Sequence, residues 1–304
     1  REIKPDLIYV QASGLGRVGS RSGYLSYGPT AQAISGLTFQ SGLADREPAG
    51  WGFSYMDHAA AYLVALATVR ALIQRERTGE GVYVDMAQSA SALFLTGTSV
   101  LDHSANGRES ERVGNASPYR PASPHGVFPC AGIDRWLAIA VFSDSEWQRL
   151  VGAIGAPDWA RAEDLATIAG RLAAPDEIER GLAAWTREQD AYEAMATLQA
   201  AGVRAGVCQT AEDRVERDVQ LRDRGYFVEL DHSEIGPWPI ENVPFKMSGT
   251  PAKVGMGTGR ASPCYGEHTA EVLRELLGLS TAEIGELEAE GVIGAAQGGQ
   301  HAPS

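Results

Sequence analysis

Gly52-Phe-Ser-Tyr-Met-Asp57-His-Ala-Ala-Ala-Tyr-Leu-Val-Ala-Leu-Ala-Thr-Val-Arg-Ala-Leu-Ile-Gln-Arg-Glu-Arg77-Thr-Gly-Glu-Gly81 is the stretch on which the reading of this chain turns. From Ala59 to Ile73 nearly every residue is Ala, Leu, Val, Ile or Tyr. A helix that is apolar all round is expected to be packed on most of its sides. The run is too short and too rich in Ala to be read as a membrane span. Asp57 stands just before it, where a capping carboxylate belongs, and Arg75, Arg77 and Gly79 supply the usual C-terminal chemistry. Val82-Tyr-Val-Asp-Met86 then resumes as a short strand. Asp57 has two readings here: a cap that accepts backbone N–H bonds, or a reactive carboxylate at the positive end of a helix. The local pattern does not choose between them.

Outward from this stretch, the composition sets bounds. At 304 residues the chain is long enough for one large or two ordinary domains. A net charge of −13 argues against nucleic acid or an anionic membrane as the main partner. Cys130, Cys208 and Cys264 are odd in number and widely spaced, which suits a reducing cytosol rather than a disulfide framework or a metal site. The chain opens on Arg1-Glu-Ile-Lys-Pro, running straight towards a strand, as if entered in mid-fold.

Upstream, Leu7–Gln11 reads as a buried strand bounded by Pro5 and Gly14. Ser13-Gly-Leu-Gly-Arg-Val-Gly19 fits G-x-G-x-x-G, but Ser20–Gly23 continues as loop rather than opening a helix. The acidic residue expected about 20 positions on is absent, with Gln40 and Ser41 there instead. The segment is better read as a glycine-rich loop lining a cleft. Tyr27–Gly36 reads as a short helix with Pro29 near its start.

Downstream, Ala87–Leu101 reads as a second helix, and Asp102–Pro129, with Pro118, Pro121, Pro124 and Pro129, as an extended connection. A new unit starts near His125, with a strand at Trp136–Phe142. A capping box from Ser143 to Glu146 follows, then helices near Ile178–Trp185 and Ala191–Ala201 and a strand at Val203–Cys208. Residues 234–265 carry five prolines and run extended. Helices at Thr269–Leu277 and Thr281–Glu290 precede a small, polar tail from Gly294 to Ser304 that is expected to be disordered. Asp102-His-Ser104 and Asp231-His-Ser233 are not triads, because triad members meet in space rather than in sequence. Glu267-His268 reads as a capping or packing pair. The six histidines include no H-E-x-x-H pair, so no metal is expected.

Several blocks together resemble the family III CoA-transferases, whose relatives include α-methylacyl-CoA racemases. They are Pro5-Asp-Leu-Ile-Tyr with Ser13-Gly-Leu-Gly; Met56-Asp57 with the apolar helix and Arg77-Thr-Gly-Glu-Gly81 before Val84-Asp-Met; Pro124-His-Gly-Val-Phe-Pro-Cys130 with Trp136; and Pro263-Cys-Tyr-Gly-Glu-His268 with Leu277-Gly-Leu-Ser. The likeness extends over residues 2 to 293. It implies an α/β fold: a large Rossmann-like domain from residues 1–120 and 235–293, incomplete at its N-terminus, a small α/β domain at 121–234, and two chains interlocked as a homodimer. It implies a soluble, cytoplasmic transferase with coenzyme A or acyl-CoA as substrate, a carboxylic acid as co-substrate and no permanently bound cofactor. Asp57 matches the family's nucleophile, which forms a mixed anhydride and then an aspartyl-CoA thioester. Gly14, Gly16, Tyr27 and Met56 are implied to line the acyl-CoA site, with backbone N–H groups of the glycine loop facing a developing oxyanion. Tyr27 stands where racemase relatives have a catalytic His, which favours transfer. A racemase or epimerase is the alternative, and a truncated, inactive copy is the other, since the family's first strand–helix units have no counterpart here.

Overall fold

The computed structural model describes residues 2–257 and 259–294. The expected disorder of the tail falls, beyond Gly294, outside the described residues. By compactness the chain divides between Cys208 and Gln209.

The first unit opens with β1 (Tyr9–Ser13), α1 (Gly28–Ile34), α2 (Leu37–Gln40), α3 (Tyr55–Thr78) and β2 (Tyr83–Ala87). β1 and β2 pair in parallel, Tyr9 opposite Tyr83 and Ser13 opposite Ala87. Parallel neighbours need a crossover, and α3 lies on it. Pro29 sits in the first turn of α1, where its missing N–H costs nothing. Gly79 ends α3 at φ +75°, and Arg75 and Arg77 lie in the last turn. Around the glycine loop no helix follows β1 directly, as expected from Ser20–Gly23.

Two expectations about this region are corrected. α3 is not packed on most of its sides. Of its residues only Met56, Ala60 and Ala71 are buried, while Tyr62 and Leu66 are 67% and 66% exposed. Nor is β1 buried: Tyr9 is half exposed, and its ring stacks on Tyr83 at 5.5 Å. The cause is the same in both cases. A sheet of two parallel strands covers too little surface to bury a 24-residue apolar helix. By length and composition α3 is apolar enough to cross a bilayer. However, Arg70 interrupts its apolar run after Ala59–Val69, well short of the roughly 20 residues a span needs.

After β2 come α4 (Gln88–Ala92) and α5 (Gly97–Asn106). The single helix expected at Ala87–Leu101 breaks at Leu93–Thr96, where Gly97 and the β-branched Thr96 and Thr98 weaken helical continuity. α5 in turn runs into the stretch expected to be extended.

The remainder of this unit is β3 (His125–Pro129), β4 (Trp136–Ala140), α6 (Asp144–Ala153), α7 (Ile168–Ala173), α8 (Pro175–Thr186), α9 (Ala191–Ala200) and β5 (Arg204–Val207). The antiparallel sheet runs β3-β4-β5. Alternation sends Leu137, Ile139 and Val141 inward, against Trp147, Leu150, Leu182 and Leu198. Each such side chain contributes about 1.5–3 kcal/mol on burial. Ser143 caps α6 by accepting from the Glu146 N–H at 3.2 Å, but Glu146 reaches back to the Phe142 N–H at 2.6 Å, one residue beyond a full capping box. Arg171 is fully buried and bonds the carbonyls of Ser123, Leu165 and Ala166 as well as Asp144.

The second unit holds α10 (Val219–Asp223), the hairpin β6 (Phe227–His232) and β7 (Gly236–Glu241), α11 (Thr269–Leu277) and α12 (Thr281–Ala289). Ser280 and Glu283 form a complete capping box on α12. His232 Nδ1 accepts from the Glu234 N–H, closing the hairpin turn, while the Ser233 hydroxyl meets Cys264 Sγ at 3.0 Å. Glu267 accepts from the Cys264 N–H at 2.8 Å and pairs with Arg260, so it braces the turn before α11.

Candidate active site

Met56 is wholly buried with Ala31, Leu37 and Ala92, which pins the start of α3 to α1, α2 and α4. Its side chain packs into this small core beneath the start of α3. The next residue, Asp57, is exposed. It is not the N-cap: Ser54 is, and Asp57 is the third residue of the helix. Ser54-x-x-Asp57 has the spacing of a capping box, yet no side-chain cap forms there. The Asp57 carboxylate turns instead to Gln88, whose Nε2 donates to Oδ1 at 2.9 Å. Oδ2 accepts no hydrogen bond from the described residues. The carboxylate lies in the first turn of α3, at the positive end of the helix dipole.

Room for Oδ2 comes from Gly28. A Cβ at that position would lie 2.2 Å from Asp57 Oδ2 and 2.8 Å from the Cα of Ser54. Tyr27 stands beside it as the N-cap of α1, with its ring exposed. The His58 ring lies 6.0 Å from the Phe53 ring, tilted at 45°.

The glycine loop is held from the same side. Gly16 has φ +80°, a conformation open to glycine, and a Cβ on Gly14 would collide with Ser26 Oγ. The Arg17 N–H donates to both oxygens of Asp85 at 3.0 Å, and the Ser89 N–H donates to the Gly14 carbonyl at 3.0 Å. Consecutive residues Gln88 and Ser89 thus bind Asp57 and the loop that holds Gly14 and Gly16. The hydroxyls of Ser13 and Ser26 are buried without a partner, which leaves spare polar groups at the loop. All of this sits at the carboxyl ends of β1 and β2, where α/β proteins place ligands. A concavity of about 680 Å³ lies elsewhere, on the open face of β3–β5 by His125, Ala138 and Arg204, and Asp57 does not line it. A carboxylate with one oxygen held and the other free of hydrogen bonds is suited to nucleophilic attack, so the reactive geometry outweighs the volume of that concavity.

Sequence reasoning missed Gln88 and Gly28. A Gln at the first position of a short helix carries no distinguishing signal, and Gly28-Pro29 reads as an ordinary helix start.

The sequence model of CoA-transferase family III matches residues 1–269. A succinyl-CoA–D-citramalate CoA-transferase of Chloroflexus aurantiacus is 30% identical over 291 residues, covering 96% of this chain and 70% of that protein. A succinyl-CoA:mesaconate CoA-transferase of Haloarcula hispanica is 34% identical over 280 residues, covering 90% and 68%. The crystal structure of a CAIB/BAIF family protein from Brucella suis superposes with a TM-score of 0.77 at 28% identity, covering 90% of this chain and 69% of that one.

Proposed function

Because the chain belongs to CoA-transferase family III, we propose that it moves coenzyme A from an acyl-CoA thioester to a free carboxylic acid through a covalent intermediate on Asp57. The carboxylate attacks the thioester carbonyl and expels the CoA thiolate, giving a mixed anhydride. The thiolate then attacks the Asp57 carboxyl carbon, the donor acid leaves, and an aspartyl-CoA thioester remains. The acceptor acid runs the same steps in reverse. No resident cofactor takes part, since coenzyme A is itself the group transferred. A carboxylate is a weak nucleophile, and holding it against the thioester supplies about 7–11 kcal/mol when the geometry is right.

The observation that supports this reading is the Asp57 carboxylate itself, held at Oδ1 by Gln88, without a hydrogen bond at Oδ2, and linked through the adjacent Ser89 to the loop of Gly14 and Gly16. That loop and Tyr27 form the acyl-CoA side of the site, with Met56 beneath as its anchor. The proposal includes the discontinuous large domain of residues 1–120 and 235–293, the interlocked homodimer and a cytoplasmic setting. The names of the relatives make succinyl-CoA the first donor to try. Asp57→Ala in the native protein should lower transfer by more than about a hundredfold, as loss of a covalent nucleophile does. Turnover near that of the wild type would refute the assignment.

A further inference from the structure

Resting on the Asp57 reading, we infer that Gln88 is a second catalytic residue, whose side-chain amide stabilises the oxyanion that forms on Asp57 Oδ1 when the CoA thiolate attacks the Asp57 carboxyl carbon. A carboxylate can only accept hydrogen bonds, so the amide must present Nε2 to it. The two Asp57 oxygens are therefore not equivalent. Oδ1 is 2.9 Å from a donor, and Oδ2 is left to form the new bond.

The two covalent steps use this bond differently. In the first, Oδ2 bonds to the thioester carbonyl carbon, the C–S bond breaks and the sulfur leaves with the electron pair. Asp57 loses its charge, Oδ1 becomes a carbonyl oxygen, and the Gln88 bond weakens. In the second, the thiolate bonds to the Asp57 carboxyl carbon and negative charge returns to Oδ1. The charge then collapses, the bond from carbon to Oδ2 breaks, and the donor acid departs with Oδ2. Gln88 faces the atom on which charge develops in that second step, at the distance an oxyanion donor requires. It is also the first residue of α4, directly after β2, and its neighbour Ser89 is bonded to the Gly14 carbonyl. Helices α1 and α4, which pack on the start of α3, carry no acidic or basic side chain, and the side-chain donor to the Asp57 carboxylate is Gln88. The amide is thus the group placed to answer the charge.

The test is rapid-quench mass spectrometry of the Asp57 peptide after mixing the native protein with succinyl-CoA, for wild type, Gln88→Leu and Gln88→Glu. Wild type should form the CoA adduct on Asp57. Gln88→Leu should form it about a hundredfold or more slowly, the usual cost of one oxyanion donor. Gln88→Glu keeps the shape and sets two carboxylates together, so the pair works only while it shares one proton. Its activity should fall as pH rises past the raised upper pKa of the pair, over a range where wild type is level. That loss is not one a merely structural side chain would produce. Adduct formation at the wild-type rate in Gln88→Leu, or a wild-type pH profile in Gln88→Glu, would overturn the inference. Absence of any Asp57 adduct in wild type would instead refute the nucleophile assignment on which it rests.

Discussion

Gly28→Ala is the smallest change that tests whether the Asp57 carboxylate is held where the fold places it. The new Cβ would lie 2.2 Å from Asp57 Oδ2, 2.7 Å from Ser54 Cβ and 2.8 Å from Ser54 Cα. Ordinary contact begins near 3.4 Å, so the carboxylate oxygen must retreat by roughly 1 Å, a displacement that costs about a hundredfold in rate at a reacting centre. Rotating Asp57 alone does not relieve the clash, because the Cα of Ser54 belongs to the backbone that starts α3. The start of α1 or of α3 must shift as well. Overpacking of this kind costs about 1–3 kcal/mol, which in a unit of this size lowers the melting temperature by about 2–4 °C per kcal/mol. Transfer kinetics and thermal melts on the same preparation read both effects. An unchanged melting temperature together with an unchanged kcat/KM would refute the claim that Gly28 makes room for the carboxylate.

Three further outcomes are expected. Arg171→Met should destabilise the protein by about 3–5 kcal/mol in urea titration, because it leaves the Ser123, Leu165 and Ala166 carbonyls without their donor. For Glu146, burial pushes the carboxyl up, but the Phe142 N–H and Arg204 more than offset this and hold it below 4.5. A depressed carboxylate stabilises the fold above its unfolded pKa, so the advantage of wild type over Glu146→Gln should be full above about pH 4.5 and vanish as pH falls through the folded value, as followed by denaturation at stepped pH. The exposed stripe of Tyr62, Leu66, Val69 and Ile73 on α3 should make the 304-residue chain self-associate, and Leu66→Lys with Val69→Lys should lower its light scattering without changing its circular dichroism.

The small antiparallel sheet and its helices were legible because their cues are local. Trp136–Phe142 alternates in a way that survives in β4, the helix read at Ala191–Ala201 is α9 at Ala191–Ala200, and α11 spans Thr269–Leu277 as read. Where the outcome depends on neighbours, sequence was a poorer guide. α3 carries an apolar surface on every side, but burial depends on what lies against it, and little does. Within the site, Asp57 and the loop of Gly14 and Gly16 stand out because a helix start and a glycine cluster leave a pattern. Met56, one step of about 100° before Asp57 on the helix, turns into the core cluster with Ala31, Leu37 and Ala92. Gln88 and Gly28 act through space, one by a hydrogen bond across 31 residues and the other by having no side chain.

The most direct test of the central claim follows heavy oxygen from the acceptor acid. If transfer passes through Asp57, an acceptor labelled in both carboxylate oxygens must hand one of them to Asp57 when the second anhydride is resolved. After turnover with succinyl-CoA and labelled acceptor, peptide mass spectrometry should find heavy oxygen in the Asp57 carboxyl of the native protein and in no other acidic side chain. Turnover with an unlabelled Asp57, the label staying with acceptor and product, would contradict the covalent account.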